Sequence, residues 1–179
     1  WALSQLRFRG KKTLLRLYIV LMILPFQVTM ASSYIVLSKL NLIDTPWAII
    51  LPSVFSAFPV FIMTKFFAGI PREMLEAARI DGAGEWGVFV RVGLPLGLPG
   101  ILSAALLGFV EGWNAVEQPV TFIKSASLLP LSVFLPATTV ENAGVTFVCA
   151  VIALMPAVLI FLFGQQYLEQ GIVASGIKE

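Results

Sequence analysis

The segment Glu76-Ala77-Ala78-Arg79-Ile80-Asp81-Gly82-Ala83, followed by Val92-Gly93-Leu94-Pro95, lies between two long apolar runs and reads as a short polar helix with an abrupt stop. Pro71 suits a first helical position, where its missing N–H leaves no bond unmade. Glu73 and Glu76 lie towards the positive end of the helix dipole and Arg79 towards the negative end. Gly82 is placed to end the helix. Ala77 and Ala78 leave a flat surface that a partner's backbone can approach closely, while Glu76 and Arg79, at i and i+3, can pair and orient that face. A helix of this shape, carried between two membrane-crossing runs, fits a groove in another protein; the alternative is an ordinary amphipathic connector between two spans.

The spacing Glu-Ala-Ala, three residues, Gly, nine residues, then Val92-x-Leu-Pro resembles the EAA loop of type I ABC importer permeases, departing from it at Val92, where that family usually has Ile. The fuller string from Glu76 to Gly100 is similar to the carbohydrate-uptake branch, and to the smaller permease subunits of maltose-type transporters. This resemblance implies that Glu76, Ala77, Ala78, Arg79, Asp81, Gly82 and Pro95 belong to a coupling helix and its approach, inserted into a cleft of an ATPase subunit. It further implies a second homologous permease, two ATPase subunits that use ATP and Mg, and an extracytoplasmic solute-binding protein, all in a bacterial or archaeal cell (inner) membrane.

Composition sets the class independently. With 58% hydrophobic and 12% charged residues over 179 positions, and mean hydropathy of +0.91, the chain is more apolar than a soluble domain of its length can hide. An all-α polytopic membrane helix bundle follows, with the type I ABC importer transmembrane fold implied by the resemblance. The chain contains no His, which removes Ser-His and Cys-His catalysis and HExxH metal chemistry together. Cys149 stands alone in an apolar run and reads as a small buried hydrophobe. No Gly-rich phosphate loop with a GKS or GKT ending is present, so the chain is expected to bind no cofactor and hydrolyse no ATP itself. An integral membrane enzyme is the rival from another class, opposed by the missing histidines and by the absence of paired acids within the spans.

Along the chain, residues 1 to 16 carry Arg7, Arg9, Lys11, Lys12 and Arg16 with no acid. In a soluble protein this would be a nucleic-acid patch; beside an apolar run it is a cytoplasmic juxtamembrane segment facing lipid, and nucleic acid is not an expected partner. Trp1-Ala2-Leu3 reads as the tail of a preceding helix, and the resemblance implies further helices upstream. Four spans are expected within one transmembrane domain covering 1–179, at about 14–37, 47–67, 92–114 and 144–167, with the coupling region at 71–84. Pro25 is expected to kink the first, Pro52 and Pro59 to interrupt the second, and Pro95, Pro99, Gly93, Gly97 and Gly100 to make the start of the third irregular. Ala104, Gly108 and Gly112 form a small-residue stripe suited to close packing of another helix. A loop of about thirty residues, with Lys124 and Glu141, is expected before the last span, and a polar tail after it. Of the Lys and Arg residues, all but Lys39 and Lys124 fall on one side of this arrangement, placing the coupling segment and the C-terminus in the cytoplasm.

A second constellation lies towards the outer end of the third span. It comprises Glu111, Trp113, Asn114 and Glu117, in which Trp113-Asn114 and Pro119, five residues on from Asn114, resemble the family's Trp-Asn and Pro pattern. Carboxylates, an amide and an aromatic face are the groups that recognise sugar hydroxyls and rings, and ionisable residues near a span are functional candidates. Interface anchoring by Trp113, or contact with a binding protein, remains the other reading. The closing QQYLEQGIVASGIKE is similar to the family's final pattern, with Gln166 where Arg is usual. The commitment is to a permease subunit of a sugar importer, with a permease for polyamines, phosphate or another small solute as runner-up.

Overall fold

The computed structural model describes residues 1–134 and 143–176, in which the regular elements are all helices joined by short turns, with no strand among the described residues. Three helices are long and apolar enough to cross a membrane: Trp47–Ala68, Glu85–Trp113 and Ala143–Tyr167, of 22, 29 and 25 residues. About 20 residues at 1.5 Å each suffice for the hydrocarbon core. The first expected span is different. Pro25 does more than kink it: the run divides into Lys11–Ile23 and Phe26–Lys39, separated by a break at Leu24-Pro25. Pro25 lacks the N–H that would continue the ladder, and its ring excludes the carbonyl one turn back. Gln5, ahead of this pair, bonds the carbonyl of Phe67, whereas Leu37, near its end, packs with Ala48. Taken together as one bent span, the two helices are long and apolar enough to make a fourth candidate crossing.

The second span is interrupted at Phe55-Ser56, after a helix Trp47–Val54 that contains Pro52 and before Ala57–Ala68, whose first turn holds Pro59. The third departs from expectation at its start. Its helix begins at Glu85, behind Gly84, and passes through one widened turn, Phe89–Gly93, in which the Leu94 N–H reaches back to the Phe89 carbonyl. Pro95 follows directly, and a widened turn of this kind commonly accommodates a disturbed ladder. From Leu94 the helix then continues to Trp113 with Pro99 inside it. The glycines expected to loosen this stretch serve packing instead. A Cβ on Gly93 would lie 2.6 Å from the Trp1 ring, and side chains at Gly97 and Gly100 would collide with Phe67 and Phe66.

Two compact units are built from this chain: Trp1–Met22, Ala57–Leu107 and Gly164–Glu179 form one, and Ile23–Ser56 with Gly108–Phe163 the other. The core of the first joins Phe67, Ile70, Leu75 and Val88, with Trp1, Met63, Ala78, Ala83, Phe89 and Val92 against them. Buried Ser103 in the same unit has its hydroxyl within reach of the carbonyls of Pro99 and Tyr167, donating its proton to one at a time. The core of the second joins Leu37, Ala48, Phe122 and Ile123. The expected thirty-residue loop supplies part of that core, because a short helix Glu117–Phe122 carries Phe122 and Pro119 into it, fully buried. Glu141 lies outside the described residues. The last helix runs from Ala143 to Gly176, so the tail expected to be a polar extension is helical to that point. Large apolar side chains such as Ile23, Phe147 and Phe163 are mostly exposed, as lipid or partner helices require of a membrane surface.

Candidate functional site

The coupling segment is the helix Arg72–Ile80, with Pro71 at its N-cap, Glu73 in the first turn and Arg79 in the last. Pro71 therefore sits one position before the one expected of it. Leu75, 2% exposed, and half-buried Ala78 form the inner face, packed towards Phe67, Ile70 and Val88. The outer face presents Arg72, Glu73, Glu76, Ala77 and Ile80, the last 85% exposed. An apolar side chain left so bare beside a polar surface is suited to being covered by a partner.

The stop follows the expected chemistry in detail. Gly82 has φ +85, donates to the Arg79 carbonyl at 3.0 Å, and the next N–H, of Ala83, reaches the Ala78 carbonyl at 3.0 Å. This paired arrangement satisfies carbonyls that the helix end would leave open. A Cβ on Gly82 would meet nothing within 4 Å, so the glycine answers to backbone conformation and not to crowding. Asp81 is the exposed C-cap, and Pro95 is exposed beyond the widened turn.

Arg79 does not find its bonded partner in Glu76. Its Nε donates to Glu85 Oε1 at 2.8 Å and its Nη2 to Oε2 at 3.3 Å, the one ion pair among the described residues. This forked contact bridges the coupling helix to the first turn of the next helix and fixes the corner between them. The Glu85 carboxylate holds the Arg79 guanidinium above its ordinary value, with Glu76 contributing only through space. Glu76 is left exposed on the outer face. Glu85 was not among the sequence candidates, although its place just after Gly84, at the positive end of a helix, is the signal that marks it. Trp86, 75% exposed, leans on Phe89 with ring centroids 5.4 Å apart and adds an aromatic surface at the same corner.

The second candidate set lies in the other unit. Trp113 is half-buried and stacked on Phe109 at 5.4 Å, one helical turn back. Asn114 donates from Nδ2 to the Val110 carbonyl at 2.8 Å, closing the end of its helix. Glu111 is exposed and has no hydrogen bond among the described residues. Glu117 alone of the four reaches a distant segment: Gln27 Nε2 lies 2.7 Å from each of its carboxylate oxygens. Trp113 and Asn114 thus serve their own helix, while Glu117 joins the break after Pro25 to the short helix Glu117–Phe122. Nothing in the sequence spacing marks Gln27, which lies 90 residues away.

A further contact missed in the sequence fixes the turn around Asp44. Asp44, at φ +62, accepts from the amides of Lys124 and Ser125 at 2.8 and 2.7 Å and from the Ser125 hydroxyl at 2.6 Å, while its own N–H donates to the Phe122 carbonyl at 2.9 Å. The Ser125 hydroxyl first, and then the two amides, hold its carboxyl below the usual carboxylate range.

The chain is 29% identical over 181 residues to the arabinooligosaccharides transport system permease protein AraQ of Halalkalibacterium halodurans, covering 99% of this chain and 65% of the relative. It is 32% identical over 195 residues to protein LplC of Bacillus subtilis, again 99% of this chain and 65% of the relative. With the polygalacturonan/rhamnogalacturonan transport system permease protein YtcP of the same organism it shares 27% over 196 residues, 99% of this chain and 68% of that protein. The chain thus spans about two thirds of the length of these relatives. Residues 1–174 match the family described as binding-protein-dependent transport system inner membrane component, and the chain belongs to that family of multi-pass membrane proteins.

Proposed function

We propose that this chain is a permease subunit of an ATP-driven importer of carbohydrates, forming half of the translocation path and receiving work through the outer face of the Arg72–Ile80 helix. The observation that carries the reading is that face itself: a helix anchored by Leu75, stopped at Gly82 and held to the next helix by Arg79–Glu85, yet presenting Glu76, Ala77 and Ile80 unpaired. A rigid element of this kind transmits a push to the spans on either side. Closure of a partner ATPase dimer around ATP and Mg moves the helix, and the attached spans rock to expose a central path alternately to each side. The chain's own residues position and transmit; nucleotide chemistry belongs to the separate ATPase subunits.

Support for carbohydrate as cargo comes from the relatives named for arabino-oligosaccharides and for polygalacturonan and rhamnogalacturonan. The remaining partners are a second homologous permease and an extracytoplasmic solute-binding protein. The basic-residue asymmetry supports a cytoplasmic side for the coupling helix and the C-terminus. Mass spectrometry of subunits that copurify with this one tests the assembly, and calorimetry of the accompanying binding protein tests the cargo. Binding of oligosaccharides is the expected result. Binding of a polyamine or phosphate instead would overturn the carbohydrate assignment while leaving the coupling role intact.

A further inference from the structure

The turn between Ala2–Gln5 and Lys11–Ile23 is unusual in its charge. Gly10, at φ +86, lets the chain reverse between Phe8 and Lys11, and the turn encloses a hollow of about 380 Å³ lined by Arg7, Phe8, Gly10, Lys11, Lys12 and Thr13. Lys11 is already engaged: its Nζ donates to the carbonyls of Ser4 and Leu6 at 2.7 and 3.0 Å and holds the turn to the preceding helix. Arg7, Arg9, Lys12 and Arg16 have no hydrogen bond or ion pair among the described residues, and the first acid in the whole chain is Asp44. Four uncompensated cations in ten residues repel one another unless something anionic joins them.

The surface next to them says what that is. Directly beyond the turn, the helix exposes Leu14, Leu17, Val20 and Leu21, and Phe8 is itself 43% exposed between two arginines. Cationic side chains around a hollow, continuous with the apolar stripe of the Lys11–Ile23 helix in a membrane protein, match a phosphate headgroup continuous with acyl chains. We propose that this turn is a binding site for an anionic phospholipid, with Arg7, Arg9 and Lys12 holding the headgroup phosphate and Phe8 with Leu14 and Leu17 meeting its acyl chains. An acidic protein face would satisfy the charges but would leave the apolar stripe facing nothing suited to it.

The intact subunit, purified with its accompanying subunits, is placed in vesicles of equal phosphatidylglycerol and phosphatidylcholine, and the lipid it retains is read by native mass spectrometry. Wild type is expected to retain phosphatidylglycerol selectively, and Arg7→Gln, Arg9→Gln and Lys12→Gln to lower that retention about fivefold each, the factor expected of one basic residue beside an anionic surface. Lys39→Gln and Lys124→Gln, at the other end of the spans, should change nothing. Raising the salt concentration should weaken retention in wild type and leave the triple variant unaffected. Thermal unfolding of each variant, expected to match wild type because the replaced side chains are exposed, excludes misfolding as the cause. The proposal is overturned if wild type shows no lipid preference, if the triple variant keeps it, or if neutralising the charges releases a protein subunit while lipid stays bound.

Discussion

The corner after the Arg72–Ile80 helix and the turn around Asp44 do comparable structural jobs by opposite means. At the corner, the helix Arg72–Ile80 is started by Pro71, stopped by Gly82 and tied by Arg79 to Glu85, six residues on. At the Asp44 turn, Asp44 is tied to Ser125 across 81 residues, and Gln27 to Glu117 across 90. The ties of the corner come from its own neighbours in sequence. Those of the Asp44 turn come from distant segments, next to buried Phe122. One region is fixed locally, while the other holds several chain segments in register.

If that contrast is right, substitutions should separate the two regions by size of effect. Phe122→Ala removes a fully buried ring on which Leu37, Ala48 and Ile123 converge, and should cost about 3–5 kcal/mol of stability. Unfolding of the detergent-solubilised subunit followed by tryptophan fluorescence checks it; a loss below about 1 kcal/mol would break the claim that this ring organises the Asp44 turn. Leu75→Ala should cost about 2–5 kcal/mol by the same measurement, whereas Ile80→Ala, on the exposed face of the same helix, should leave stability within about 0.5 kcal/mol. That pair sharpens the division between an anchoring face and a presenting face.

Smaller effects probe the ties themselves. Gly82→Ala should cost about 1 kcal/mol, because a Cβ at φ +85 is strained even though no neighbour crowds it. Breaking Arg79–Glu85 should cost about 0.2–1 kcal/mol in a double-mutant cycle, since both side chains are substantially exposed. The Asp44 tie should respond to acid. Its carboxyl is held below the usual value of about 3.9, so the tie is at full strength above that pH and is lost as pH falls through the lower folded value. The protection factors of the Lys124 and Ser125 amides, with the intrinsic pH dependence of exchange divided out, should therefore fall below about pH 4 and stay constant at pH 5 and above; uniform protection throughout would show that the carboxylate is not what holds them.

The same contrast explains what was legible in the sequence. Gly82 and the helix before it were readable because stop and dipole signals lie within a turn or two of the residues they act on. Apolar length marks the three helices long enough to cross a membrane, but it does not show that Pro25 divides the first run into two helices. Glu76–Arg79 was the natural pairing by spacing, yet Glu85 prevailed because the chain turns back immediately after Gly82, a consequence of tertiary geometry that i, i+3 counting does not contain. Gly93, Gly97 and Gly100 read in sequence as sources of irregularity, but the rings that need their missing side chains, Trp1, Phe67 and Phe66, come from other segments. The buried role of Phe122 and the Gln27 partner of Glu117 were invisible for the same reason.

The central claim is that the exposed face of the Arg72–Ile80 helix passes work from an ATPase to the spans. It is tested most directly by measuring solute uptake and ATP hydrolysis in parallel, in the same proteoliposomes, for the complete transporter carrying Glu76→Ala or Gly82→Asp. Subunit retention is followed alongside. Both variants should insert and assemble with the partner permease, yet lose uptake, with the ATPase either dissociating or hydrolysing ATP independently of transport. Wild-type uptake coupled to wild-type hydrolysis in both variants would show that the helix is only a connector and would contradict the assignment.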